Sequence, residues 1–283
     1  MLRNEIQNKT GLTRKAIEYY EEKGLIHPQK SENGYRDYTK DDLEILIKVA
    51  LFRKIGMSVT DIEDYFSSGK SSLSSILRRK QHRLDIEEKR KEVLELMVKG
   101  ESQELINEKI EVMEAEESIY ERLVRAFPGY FGQMIFMAYQ PFLSEPLDKG
   151  GKEAYEKFVE YLDNIPSFDL DGDEQDYIEN VSSTFDMQVL KKVNEAKVNA
   201  IENIEEWLKS NANSILQYEE CQNSEEYQNS LMKQIQVKLQ KFMKDNRYYE
   251  IAIPLIRKFS KSYNEYYKKV LKANEIYLDL KNN

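Results

Sequence analysis

The sequence predicts a mainly α-helical chain: an N-terminal winged helix-turn-helix, long charged helices after it, and an all-helical C-terminal domain. Three observations carry this expectation. Only 11 glycines and 6 prolines occur in 283 residues, too few for a turn-rich β architecture. Helix formers such as Glu, Lys, Leu, Ile and Gln dominate the composition. Beyond about residue 40 there is no strand-like alternation and no internal repeat, while apolar residues recur every three or four positions. A chain of this length is comfortable for two domains. The expected division is 1–70 for the helix-turn-helix, 71–127 for the linking helices and 128–283 for the C-terminal domain.

Each element follows from local rules. Residues 2–9 suit a short helix, and Thr10-Gly11-Leu12 a turn. Thr13 is a good cap for a second helix, which should stop at Gly24, where a helix C-terminus favours glycine. Leu25-Ile26-His27-Pro28 leads out extended, and Ser31-Glu32-Asn33-Gly34 reads as a hairpin turn, giving a two-stranded wing. Thr39 caps a third helix with acids in its first turn and a buried stripe expected at Leu43, Ile47, Ala50 and Leu51. Gly56 ends it, and Ser58 caps a fourth helix with Val59, Ile62 and Phe66 inward. The SSGKSS stretch at 67–72 reads as a linker.

Residues 73–98 then run free of Gly and Pro, with apolar positions that fit heptads poorly. Leu105 to Phe127 fit better, through Ile106, Ile110, Met113, Tyr120 and Leu123. Further on, loops are expected near 148–152 and 169–176, one long helix over 175–210, and two more near 224–246 and 248–280.

On a helical wheel, Thr13, Ala16, Ile17, Tyr20 and Gly24 share the side that packs on the domain. Arg14, Lys15, Glu18, Glu21 and Glu22 face out, with Tyr19 on a shoulder. Basic groups at the N-terminal end of a second helix suit a DNA major groove, which is about as wide as a helix. A wing with Tyr35, Arg36 and Tyr38 offers a guanidinium fork and hydroxyls to flanking phosphates. Taken singly, each of these residues serves equally as a core aromatic or a solvated charge.

As an ordered set they resemble the MerR family of bacterial transcription regulators. TGLTRKAIEYYEEKGLIHP, NGYRDYTKDDLEIL and FRKIGMSVTDI are similar to its recognition helix, wing and third-to-fourth helix junction, in family order and spacing. The resemblance spans residues 2–66, and more loosely a following dimerisation helix. It implies a homodimer joined by an antiparallel coiled coil. It also implies a pseudo-palindromic double-stranded operator in an overlong promoter spacer, bent and untwisted so that RNA polymerase engages, with an effector bound in the C-terminal domain. By position the implied DNA contacts are Thr13, Arg14, Lys15, Tyr19 and Tyr20 on the recognition helix. Tyr35, Arg36 and Tyr38 follow on the wing, and Arg53 and Lys54 before the junction glycine. The chain departs at Glu18, where the family favours Arg. A carboxylate cannot bond a guanine edge, although it can accept from cytosine N4. The segment before the first helix is too short for the family's usual strand, so the wing is expected to be a two-stranded sheet only.

Charge and composition narrow the rest. Residues 1–100 carry 20 Lys+Arg against 17 Asp+Glu, within a chain of net charge −9, so a slightly basic head joins an acidic body. The single cysteine, Cys221, excludes an internal disulfide and disfavours thiolate metal or iron–sulfur sensing. His27 and His82 stand alone, and no metal site or cofactor is expected. DLDGDE fails as a calcium loop, since Gly172 is fourth and Asn180 twelfth from Asp169. KGGK lacks the strand and the Ser/Thr of a phosphate loop. No Ser/His/Asp, Cys/His or HExxH arrangement is present, so catalysis is not expected. No signal peptide is visible, and runs such as MIFMAY fall short of the ~18 apolar residues needed to span a bilayer, so a cytoplasmic protein without membrane partners is expected.

What remains is an aromatic helical body. GYFGQMIFMAYQPF brings together Tyr130, Phe131, Phe136 and Tyr139, and Trp207 adds an indole. Aromatic faces beside carboxylates can hold a lipophilic cation or a flat drug, and the same spacing can build a core. Since several relatives in the resembled family sense drugs, these five residues are the candidate pocket for a hydrophobic small-molecule effector. The alternative is an architectural or adaptor DNA-binding protein with a ligand-free body.

Overall fold

The computed structural model describes residues 1–30, 34–68 and 72–282. Residues 31–33 of the expected hairpin turn 31–34, and 69–71 of the expected linker 67–72, lie outside the described residues. Sixteen α-helices and one two-stranded sheet are present among the described residues. The chain divides into two compact units, Met1–Leu73 and Ser74 onward.

In the first unit, α1 (Arg3–Thr10) ends at Gly11, whose φ of 71° closes the helix in the left-handed region. α2 (Arg14–Glu22) starts at Thr13, whose hydroxyl accepts from Ala16 N at 3.2 Å. β1 (Gln29–Lys30) and β2 (Arg36–Asp37) pair antiparallel with Lys30 opposite Arg36. Tyr38 N donates to the Met1 carbonyl at 2.9 Å, so the segment before α1 meets the wing through one bond and adds no strand among the described residues. α3 (Lys40–Lys54) is capped by Thr39 and Asp42, and α4 (Val59–Ser68) by Ser58 and Asp61.

The buried stripe of α3 differs from the expectation. Leu46, Val49, Ala50 and Phe52 face the core, while Ile47 is 47% and Leu51 56% exposed. Apart from Glu44 and Lys48 the run LEILIKVALF is apolar, so periodicity alone chooses poorly among its remaining faces. Packing on α1 decides it. Ile6, Ile17, Tyr20, Ile26, Tyr38 and Ile62 complete this small core.

In the second unit, α5 (Ser72–Lys99) turns at Gly100 into α6 (Gln103–Ala126). Lys89 pairs with Glu116 at 2.6 Å and Arg90 with Glu117 at 3.1 Å, so α6 runs back along α5. α7 (Tyr130–Tyr139) docks on α6 at Gly132. A Cβ there would lie 2.6 Å from the Leu123 carbonyl oxygen and 2.7 Å from Val124 Cα, so only glycine permits this approach. α8 (Lys149–Asn164) packs on α6 and on α15 (Tyr248–Phe259). Between them lie α9 (Gly172–Val181), α10 (Met187–Glu202), α11 (Ile204–Ser210), α12 (Ala212–Asn223), α13 (Glu225–Gln228) and α14 (Leu231–Asp245), and α16 (Lys261–Asn282) closes the chain.

Caps split what periodicity joined. The helix expected over 175–210 is three, because Asp186 accepts from Val189 N to start α10 and the backbone leaves helical geometry at Asn203. Ser230 caps α14 through Lys233 N and divides 224–246. Ser260 divides 248–280: its hydroxyl donates to the Phe142 carbonyl at 2.7 Å and accepts from Tyr263 N at 3.1 Å. The loop expected at 148–152 is the first turn of α8, with Asp148 accepting from Gly151 N at 2.8 Å. The acidic stretch at 169–176 likewise starts α9, where Asp171 and Glu174 form a reciprocal cap.

Candidate nucleic-acid interface

α2 presents its N-terminal end to solvent. Thr13, Arg14 and Lys15 are exposed there, and Tyr19 lies half-exposed with Lys23 over its ring at 5.7 Å. Glu18 gathers two cations on one carboxylate oxygen. Arg14 Nε donates to it at 2.9 Å and Arg3 approaches it at 3.0 Å. The hydrogen bond from Arg14, with the charge of Arg3 behind it, holds the Glu18 carboxyl below its ordinary range, so it stays ionised.

The wing supplies a second cationic group. Arg36 forks onto Glu21, with Nε to Oε2 at 3.0 Å and a terminal nitrogen to Oε1 at 2.6 Å. Tyr35 is exposed on the same hairpin. Arg53 and Lys54 are exposed at the end of α3, and Arg53 donates to the Met57 carbonyl at 2.7 Å, which ties it to the junction before α4.

Two expected contacts take other roles. Tyr20 and Tyr38 are buried, and their rings belong to the core of the head. For Tyr20 the wheel already placed the ring on the packing side. Tyr38 is 2% exposed, and its hydroxyl accepts from Arg3 Nε at 3.4 Å. Asp42 was not among the expected site residues, yet it fixes the wing to α3. It accepts from His27 N at 3.1 Å and from Thr39 N at 2.8 Å. Burial pushes its carboxyl up, but these amides and the Thr39 hydroxyl outweigh that and leave it below its ordinary value.

In the body, the five expected pocket aromatics divide. Phe131, Phe136 and Tyr139 are buried members of the main core, and Tyr139 shares a 2.5 Å hydrogen bond with Tyr248. Tyr130 packs against that core under the guanidinium of Arg78, 5.3 Å from its ring. Aromatic spacing on α7 therefore fills the interior. Trp207 is 41% exposed and lines a cleft of about 410 Å³ along α10 and α11, with Ala200 and Asn203. A second cleft of about 600 Å³ lies between the α10–α11 junction and α16, with Glu202, Glu206, Lys269 and Lys272 around it.

Sequence reasoning missed the polar centre of the body. Arg78 is fully buried. Its Nε bonds the Gln133 amide oxygen, one terminal nitrogen bonds the Ser182 and Phe185 carbonyls, and the other pairs with Glu179 at 3.1 Å. One turn on, His82 stacks on Tyr120 at 3.5 Å, and burial pushes its imidazole down to about 4. Neither ring nitrogen of His82 has a hydrogen-bond partner among the described residues. Both residues sit in the charged run RRKQHR, where nothing in the sequence separates buried from solvated charges.

Among the described residues no helix is long and apolar enough to cross a membrane, and no group of three His, Cys, Asp or Glu is placed to hold a metal ion.

Comparison with known proteins bears on the head. A family model described as "MerR HTH family regulatory protein" matches residues 3–69. The HTH-type transcriptional regulator CueR of Salmonella typhimurium is 46% identical over 59 residues, 20% of this chain and 43% of its own length. CueR of Escherichia coli O157:H7 is 44% identical over 59 residues, 20% of this chain and 44% of its own. The chain thus spans under half the length of these relatives. The HTH-type transcriptional regulator YfmP of Bacillus subtilis is 28% identical over 133 residues, 46% of this chain and 89% of its own length. No solved structure matches significantly.

Proposed function

We propose that this chain, whose residues 3–69 are a MerR-family helix-turn-helix domain, is a ligand-responsive transcription regulator. In this reading it binds a pseudo-palindromic operator as a homodimer and distorts that DNA to control RNA polymerase. The observation that carries the reading is the exposed N-terminal end of α2, with Arg14 and Lys15, beside a wing that holds Arg36 and Tyr35. A helix end of that kind reaches base edges, and the wing reaches phosphates.

The dimer reading is supported by α5. Leu77, Leu84 and Val98 are half or more exposed and lie at multiples of seven, and Leu94 adds to the same helix. The better heptads of α6 do not compete, because Ile106, Tyr120, Leu123 and Phe127 are buried within the chain. Such an exposed apolar stripe is expected to be covered by a second copy.

The effector reading rests on Trp207 and its cleft. It commits to a hydrophobic small molecule seated against the indole. The filled aromatic core favours the second reading, an architectural DNA-binding protein with a ligand-free body.

One set of measurements decides between them. Selection on random DNA, followed by anisotropy at several salt concentrations, should yield a two-fold-related site and a linear log–log salt dependence. Failure to enrich any sequence would sink the DNA-binding reading. Trp207 is the only tryptophan, so its emission reports the cleft directly. A lipophilic drug that shifts this emission and alters operator binding supports the sensor. Drugs that leave both unchanged support the architectural reading.

A further inference from the structure

We infer that Glu18 is a specificity-determining positioning residue: it aims Arg14 at a guanine in the major groove rather than reading a base itself. The inference rests on the DNA-binding reading above. It starts from one oxygen. Glu18 Oε1 lies 2.9 Å from Arg14 Nε and 3.0 Å from an Arg3 terminal nitrogen. That oxygen is committed to two guanidiniums, so only the second carboxylate oxygen is left by these bonds for a cytosine amine.

The geometry on the Arg14 side is the useful part. Arg14 and Glu18 are one helical turn apart, at the N-terminal end of α2 that enters the groove. Donation from Nε leaves both terminal nitrogens of Arg14 unspent by this bond. Those two nitrogens form the planar end of the guanidinium, which matches O6 and N7 of guanine. A long, exposed arginine otherwise spreads over many rotamers, and ordering it opposes binding. A carboxylate partner fixes the plane beforehand.

The electrostatics make this arrangement distinctive. Arg3, Arg14 and Glu18 together carry one net positive charge, where three cations or neutral groups could stand. A carboxylate on a DNA-facing helix weakens attraction to any phosphate backbone, whatever the sequence. Glu18 therefore lowers binding to random DNA while preserving binding to the site whose guanine Arg14 meets. Specificity is the difference between the two affinities, and Glu18 widens it.

The test uses the whole 283-residue chain and four proteins: wild type, Glu18→Gln, Arg14→Ala and the double variant. Each is taken through selection on random DNA, then anisotropy on the selected site and on a scrambled duplex across a salt series. Thermal unfolding checks that each variant is folded, and Gln preserves the shape of the half-buried Glu18 side chain. For Glu18→Gln, binding to the scrambled duplex should strengthen several-fold, and its salt slope should steepen by about 0.9 as one freed arginine reaches a phosphate. The ratio of selected to scrambled affinity should fall about tenfold. One guanine per half-site should lose its preference in Glu18→Gln and in Arg14→Ala alike. The double variant should lose little more than either single one.

Three outcomes would overturn the inference. One is an unchanged selected sequence in Glu18→Gln. Another is loss of preference at a cytosine that Arg14→Ala leaves intact, which would make Glu18 the reader. The third is additive losses in the double variant. A wild-type protein that enriches no sequence is a different failure, since it removes the DNA-binding reading and this inference with it.

Discussion

The head and the body hold their arginines in opposite surroundings. In the head, Arg14 pairs with Glu18 at the surface, where water competes for its guanidinium, and Arg36 forms a half-buried pair with Glu21. Arg78 in the body is sealed among Gln133, Glu179, two backbone carbonyls and the Tyr130 ring. The difference teaches what each charge is for. An exposed ion pair contributes about 0–1 kcal/mol and exchanges readily, so Arg14 can change partner when a polyanion arrives. A buried guanidinium cannot leave without stranding its partners, so Arg78 orders the body and is unavailable to a ligand.

The sharpest way to break that contrast is Arg78→Met. It leaves Glu179 buried without its partner, and the expected loss is about 3–5 kcal/mol, read from Trp207 emission during urea unfolding. The double variant Arg78→Met with Glu179→Met should recover much of the loss, because no lone charge remains buried. A loss under about 1 kcal/mol in the single variant would show that Arg78 behaves like the head's arginines after all.

The next largest effect is a pH dependence confined to the body. Burial lowers the His82 imidazole to about 4 from an ordinary 6.5; nearby Asp85 pulls it up, and Lys89 and Arg83 push it further down. The unfolded chain therefore binds more protons than the folded one between those values. Stability is full above about pH 6.5 and falls as pH drops towards 4, by about 3 kcal/mol in all. His82→Phe keeps a ring against Tyr120 and should flatten unfolding free energy across that window. An equally steep curve in the variant would assign the pH dependence to other groups.

These predictions also mark what could be read from sequence. The head was legible because its instructions are local. Thr13, Gly24, Thr39, Gly56 and Ser58 act on their own helix ends, and each stands where expected. The α3 stripe was not, since Leu46 and Ile47 are equally apolar and only packing on α1 buries one and exposes the other. In the body, the breaks at Asp186 and Ser230 carry local signals, Ser182-Ser183-Thr184 and Asn229, that a periodicity reading passes over, whereas Ser260 stands between Lys258-Phe259 and Lys261. The candidate pocket misled for a similar reason: Phe136 at helical spacing looks the same whether it lines a cavity or fills a core. Within the interface, exposed Arg14 and Lys15 followed from the wheel. The Glu18 and Glu21 pairings depended on rotamers that no spacing rule supplies.

Asp42 offers a smaller test of the head. Its carboxylate accepts from His27 N, Thr39 N and the Thr39 hydroxyl, and so joins the segment before the wing to the start of α3. Asp42→Ala removes a helix cap and leaves amides without partners, with an expected loss of about 2 kcal/mol. Because its folded value lies below 3.8, the contribution of Asp42 is complete above that pH. It disappears as pH falls through the lower folded value. Amide exchange at His27 should speed up in the variant at neutral pH. Unchanged exchange there would mean that the wing is held by its own strand pairing.

The smallest effect separates attraction from recognition. Glu21 holds Arg36 by Nε and one terminal nitrogen, which leaves the other terminal nitrogen for a phosphate oxygen. A phosphate contact carries no base information, so Arg36→Ala should weaken binding to the selected and scrambled duplexes by the same factor. Its salt slope should become shallower by about one unit. This is the reverse of the pattern expected for Glu18→Gln, in which the slope steepens and the selected sequence changes. If Arg36→Ala instead altered base preference at a constant salt slope, the wing would be reading bases, and the division of labour between α2 and the wing would have to be redrawn.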